Sequence, residues 1–151
     1  MPMIDVTAVR GSIPDTVRPQ LLDELATILL RWEGAPDTEF FREITWVYFH
    51  EIDAEQLAVG GRGGGSPRFR IEITVPEGAL STRRKEGLIA DVHTAVVTAA
   101  GLDPNSAQAL YVWTLIREIP EGNWGAAGAA VRFEALKATS AAEREKSPTT
   151  A

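Results

Sequence analysis

Hydrophobic and polar positions fall into the same order of elements twice along this chain. Residues 3–8 (MIDVTA) alternate, which predicts a strand with Ile4, Val6 and Ala8 on one face. The run Gly11-Ser12-Ile13-Pro14-Asp15 predicts a helix start, with Ser12 as cap, Pro14 in the first turn and Asp15 completing an S-x-x-D box. Val17, Leu21, Leu22, Leu25, Ile28, Leu29 and Trp32 then recur at helical spacing, and Gly34-Ala35-Pro36 predicts the stop. Ile44 to His50 (ITWVYFH) is rich in β-branched and aromatic residues and predicts a second strand. A short hairpin is expected around Val59-Gly60-Gly61.

The plan then restarts. Arg70 to Val75 predicts a strand, and Ser81 caps a helix with Leu88, Val92, Ala95, Val96 and Ala99 on its inner face. Leu110 to Arg117 predicts another strand, and Val131-Arg132-Phe133 a short closing one. Shifted by 67 positions the chain aligns with itself: Ile4 meets Ile71, Gly11 meets Gly78, Trp46 meets Trp113 and Glu51 meets Glu118. The expected organisation is a first unit over 2–61, a Gly-rich linker at 62–67, a second unit over 68–135 and a disordered tail over 136–151.

Strand, helix and strand make a right-handed β-α-β crossover between parallel strands. Two copies paired edge to edge give an α/β fold with a four-stranded mixed sheet and both helices on one face. The other face would carry Trp46 and Trp113, too large to stay wet, so self-association is expected to cover them.

Composition narrows the function. With 21 acidic against 15 basic residues the net charge is −6, which disfavours a nucleic-acid or anionic-membrane surface. No apolar run approaches the roughly 20 residues of a membrane span, and no basic segment precedes the first apolar one, so a cytoplasmic protein is expected. There is no Cys, which removes disulfides, thiolate nucleophiles and Cys-based zinc sites, and two His are too few for a His-rich metal centre.

Pro2 carries the candidate chemistry. Methionine before a small second residue is normally trimmed, which makes Pro2 an N-terminal secondary amine. Its reference pKa near 8 falls with burial or a nearby cation, so it can act as a base near neutral pH. A Met-Pro start running into a strand, a helix and a second strand, in a duplicated unit, resembles the tautomerase superfamily. The residues that carry the resemblance are Pro2-Met3-Ile4, the run Trp46 to Ile52 closing the first unit, and Arg117 to Gly125 closing the second. As a fused chain it is similar to cis-3-chloroacrylic acid dehalogenase and malonate semialdehyde decarboxylase.

The resemblance implies a homotrimer with cofactor-free chemistry at Pro2 on a small anionic substrate, a keto or enol acid. It implies arginines on the substrate carboxylate and an aromatic wall. The wall falls on Trp124, where the first unit has Leu57. The single-unit tautomerase arginines fall on Ser12, Trp46 and Trp113 here. Arg117, four residues beyond Trp113 and so on the same strand face, is the first choice for the carboxylate clamp, and Arg10, two residues before Ser12, the second. Tyr48 and His50, on one strand face, are candidates for hydrogen bonds to substrate; His93 reads as structural. The dehalogenase arginines fall on Pro76 and Ala79, and its water-activating glutamate on Val59 and Ala126, which disfavours hydrolytic dehalogenation. Phe69 stands where Pro2 would recur, so one proline site per chain is expected. A non-catalytic binding or scaffold protein of this fold, a decarboxylase, and a ferredoxin-like regulatory domain remain as alternatives.

Overall fold

A computed structural model describes residues 2–146 of the chain. Its sheet has the order β2-β1-β5-β6. β1 (Met3–Val9) runs parallel to β2 (Trp46–Ile52), and β5 (Phe69–Pro76) parallel to β6 (Val112–Ile119). The two units join through an antiparallel β1–β5 pair, with Val6 opposite Ile71. Helices α1 (Arg18–Glu33) and α3 (Thr82–Ala99) make the two crossovers. The core lies between them and the sheet: Ile4, Val6, Ala8, Ile71, Ile73 and Val75 meet Leu21, Leu25, Leu29, Leu88, Val92 and Val96. The fused two-unit fold is therefore as the sequence predicts.

Conserved spacing between the units has a structural cause. Glu51 at the end of β2 accepts from the Gly11 backbone N–H at 3.2 Å and from Arg18 at 3.1 Å. Glu118, 67 positions on, accepts from the Gly78 N–H at 3.3 Å and from Lys85 at 2.6 Å. Each glutamate thus ties its strand to the loop that follows the neighbouring strand. Gly11 and Gly78 both hold φ of 79°, a left-handed conformation that favours glycine.

The Lys85 hydrogen bond, aided by the Gly78 N–H, holds the Glu118 carboxyl below the usual range against the opposing effect of burial. A depressed folded-state pKa gives stability that is present above the unfolded value and is lost as pH falls through the folded one. Glu118→Gln should therefore cost about 1 kcal/mol at pH 7. The difference from wild type should shrink towards zero below about pH 4, as read by urea melts at both pH values.

Four boundaries differ from the sequence expectation. The first helix starts at Arg18, with Pro19 in its first turn, instead of at Pro14. Ser12 and Pro14 lie in turns, because Ile13 is drawn into the core and the chain must reverse before the helix can start. Asp15 pairs with Arg18 at 2.5 Å instead of completing a cap. A short helix, α2 (Glu39–Glu43), follows Thr38, whose hydroxyl caps it, and buries Phe41. Part of the expected linker is ordered: β3 (Ala58–Val59) pairs with β4 (Arg62–Gly63). The closing strand is β8 (Ala129–Ala130), paired with β7 (Gly125–Ala126), and not residues 131–133.

The expected tail is largely helix. α4 spans Phe133–Lys146, and its run of Ala, Glu, Lys and Arg has the intrinsic propensity for one. Residues 147–151 of that tail lie outside the described residues.

The outer sheet face is open. Trp46 and Trp113 are 57% and 69% exposed, with Tyr48 and Leu115 beside them. Among the described residues no helix is long and apolar enough to cross a membrane.

Candidate active site

Pro2 is buried immediately before β1, and its carbonyl accepts from the Trp46 N–H at 3.3 Å, extending the β1–β2 ladder by one step. It lies in the walls of two cavities. The first, about 620 Å³, is bounded by Met3, Ile44, Trp46, Thr74, Ile119 and the segment Asn123 to Ala127. None of these side chains is charged, and Thr74 and Asn123 supply the polar ones.

The hairpin after β6 builds one wall of that cavity. β7 and β8 are joined by Ala127 and Gly128 at φ 51° and 78°, the two-residue mirror turn that suits strand twist. Ala127 holds a conformation rare outside glycine, and the first unit has Gly60 and Gly61 at the same place. The Trp124 carbonyl accepts from Val131 N–H at 2.8 Å, which closes the hairpin base, and Trp124 stands in the cavity wall.

The second cavity, about 310 Å³, opens on the helix side of Pro2. It is walled by Glu33 and Gly34 at the end of α1, Gly78 and Ala79 after β5, Arg84 of α3, and Lys137 and Arg144 of α4. Arg84 donates to the Glu33 carbonyl at 3.3 Å, and Arg144 to the Gly34 carbonyl. These bonds satisfy carbonyls left over at the α1 C-terminus, where cations are also favoured by the helix dipole. Burial pushes the Glu33 carboxyl up to about 7, the positive amino terminus acting the other way.

Residues 70–134, most of the second unit, match the model of the tautomerase enzyme family. Solved structures share the whole fold. Pt0534 inactivated by 2-oxo-3-pentynoate superposes with a TM-score of 0.71 at 19% identity, over 89% of this chain and 98% of that one. A fused 4-OT wild-type symmetric trimer gives 0.70 at 21%, over 89% and 98%. N1, a member of the cis-3-chloroacrylic acid dehalogenase family, gives 0.71 at 21%, over 95% and 96%. The chain thus has the fused two-unit tautomerase fold, and most of its second unit matches the model of that family. No curated protein sequence matches it.

Within this tautomerase fold the structure brings together two of the residues singled out from sequence, Pro2 and Trp124, in the first cavity. Of the other four, Arg117 and His50 line a neighbouring cavity that shares Met3, Thr74 and Ile119 with the first, whereas Tyr48 and Arg10 border neither. Arg117 is on the open sheet face, paired with Glu72 at 2.5 Å. His50 is on the same face, its Nε2 2.8 Å from Asp5 Oδ1, and its ring stacks on Tyr48 at 5.9 Å. Arg10 pairs with Asp53 at 2.9 Å. It stands eight residues along β1 from Pro2, about 25 Å away within one chain at the rise of a strand. Position 126, where the dehalogenase glutamate falls, lines the first cavity as alanine, and positions 76 and 79, where its arginines fall, line the second as proline and alanine.

The residues that sequence reading passed over are Glu33, Arg84, Lys137 and Arg144. All four are long side chains on helices, indistinguishable by pattern from solvated charge. Lys137 and Arg144 fall in the segment expected to be tail. The one available signal was the helix-forming composition of that segment.

Proposed function

We propose that the chain is a cofactor-independent tautomerase, in which the N-terminal nitrogen of Pro2 moves a proton on a small α-keto or enol acid. The observation that carries this reading is the burial of Pro2 where an apolar and a cationic cavity meet. A proton next to a carbonyl is acidic enough to be taken by an amine whose pKa lies near the ambient pH. The proline ring fixes that amine relative to β1, so the base does not have to be ordered when substrate binds. The proton taken from carbon returns to the other end of the enol system, and no redox step or co-reactant is needed. Asn123 supplies an amide donor in the first cavity for the oxygen on which enolate charge develops.

One site per chain follows, since Phe69, the counterpart of Pro2, opens β5 in the middle of the chain and has no free amine. Alanine at position 126 offers no carboxylate to activate water, which favours isomerisation over hydrolysis. The same reading has three copies associate through the open sheet face. The exposed indoles of Trp46 and Trp113 and the trimer formed by a fused 4-OT relative support it.

Native mass spectrometry tests the physical premise. The expected assembly is three chains, each lighter by one methionine. Retention of Met1 would make the Pro2 nitrogen an amide, and no base would remain. Phenylpyruvate and 2-hydroxymuconate ketonisation, followed by ultraviolet absorbance, test the activity itself.

A further inference from the structure

Taking Pro2 as the amine base, we propose that Arg84, Lys137 and Arg144 form the carboxylate-binding half of its site, and that the substrate is a monocarboxylate whose apolar body lies in the cavity on the other side of Pro2.

Convergence of the three cations is the first ground. They come from two helices, α3 and α4, and line one cavity with Pro2. Arg84 and Arg144 close over Gly34: a Cβ there would lie 3.3 Å from a guanidinium nitrogen of Arg84 and 3.8 Å from one of Arg144. Gly34 (φ 70°) therefore keeps open the floor on which both sit. Each guanidinium has five N–H donors, and the bond to a main-chain carbonyl of α1 uses one. That leaves donors in the planar fork that matches a carboxylate.

Charge is the second ground. Among the described residues Glu33 is the only acidic side chain bordering this cavity, and burial raises its carboxyl to about 7, so that it is only partly ionised near neutrality. A chain of net charge −6 thus gathers three cations around a small cavity; Lys137 pairs with Glu134 at 2.9 Å, whereas Arg84 and Arg144 bond main-chain carbonyls, which favours an anionic occupant.

The first cavity supplies the third ground. It has no charged side chain among the described residues, and Trp46 and Trp124 stand in its wall. A second carboxylate there would lose its hydration without gaining a cation. An alkyl or aryl body would gain contact with two indoles. The pair of cavities therefore selects a molecule charged at one end, such as an aryl or alkyl 2-oxo acid, over a dicarboxylate.

Reagents that add to amines separate this inference from the reading beneath it. 2-Oxo-3-pentynoate and the neutral 3-pentyn-2-one both accept a secondary amine across the triple bond. The nitrogen bonds the distal alkyne carbon, a π bond breaks, and the amine proton ends on the carbon next to the carbonyl. The full reagent mass is gained on the peptide that begins with Pro2. In the trimmed wild-type protein the anionic reagent should label faster. In Arg84→Gln/Arg144→Gln, and separately in Lys137→Gln, which leaves the α1 carbonyl bonds in place, the anionic-to-neutral rate ratio should fall. The double variant should lose at least about tenfold. Using the ratio cancels any change in the amine's own reactivity. An unchanged ratio, with Pro2 still labelled, overturns the inference and leaves the proline base intact. No labelling of wild type by either reagent overturns the proline base itself. Wild type should also show a higher kcat/KM for phenylpyruvate than for 2-hydroxymuconate; the reverse order overturns the assignment of the apolar half.

Discussion

Pro2→Ala should lower kcat/KM for phenylpyruvate tautomerisation by roughly 10²–10⁴-fold, the usual worth of a positioned general base. Alanine is trimmed of its methionine as proline is, so the variant keeps an N-terminal amine. It also keeps the carbonyl that accepts from the Trp46 N–H, and the fold should be retained. What it loses is the ring. A secondary amine locked to the start of β1 presents its lone pair in one direction, whereas a primary amine on a free N-terminus rotates among several. In the proposed mechanism burial and the cations of Arg84, Lys137 and Arg144 in the same cavity favour the neutral amine, with Glu33, where ionised, opposing them. The wild-type rate should therefore rise with pH through a limb below 8, and the limb should lose its amplitude in the variant. Activity equal to wild type in Pro2→Ala, with the mass confirming methionine removal, would place the base elsewhere.

The fold was more legible than the site because the two rest on different signals. Alternation in residues 3–8 and helical spacing from Leu21 to Trp32 report one-sided burial, and the structure buries those faces. The 67-residue repeat doubled each signal, and Glu51 and Glu118 now have a physical reason to recur in their glycine and basic partners. Boundaries were less legible where a tertiary contact overrode local chemistry. Ser12 and Pro14 form a good helix start, yet burial of Ile13 postpones the helix to Arg18.

Of the residues singled out from sequence, Pro2 and Trp124 meet in one cavity because the strands themselves fix where they lie. Pro2 is set by β1, and Trp124 by the hairpin that continues β6. The choice of Arg117 assumed that a residue on the face of Trp113 points to the substrate. That face is the open one, where Arg117 pairs with Glu72 and borders a cavity that adjoins the first at Met3, Thr74 and Ile119. The cations that share a cavity with Pro2 come from Arg84, in the first turn of α3, and from α4. Their approach to Gly34 depends on where helix ends meet, which no period along the chain encodes.

The largest stability effect should come from adding one methyl group. Gly87→Ala would ordinarily favour a helix by about 1 kcal/mol. At this position on α3 a Cβ would stand 2.1 Å from Trp32 Cη2 and 2.3 Å from Cζ2, well inside contact distance. The indole cannot swing away at little cost, because its Nε1 donates to Asp91 at 2.6 Å and Asp91 also holds Arg31 at 2.7 Å. The helices must separate or that hydrogen bond must break, so Gly87→Ala should destabilise the chain by about 1–3 kcal/mol. Trp32→Leu should cost stability by itself through lost packing and leave Asp91 without the indole donor. Combined with Gly87→Ala it should cost less than the sum of the two, because the smaller side chain leaves room for the methyl. Trp32 immediately precedes Glu33 and Gly34, whose carbonyls Arg84 and Arg144 grip. The overpacked variant should therefore also raise KM for an anionic substrate more than it lowers kcat. Additive stabilities in the double-mutant cycle would mean that α1 and α3 do not approach each other through this glycine.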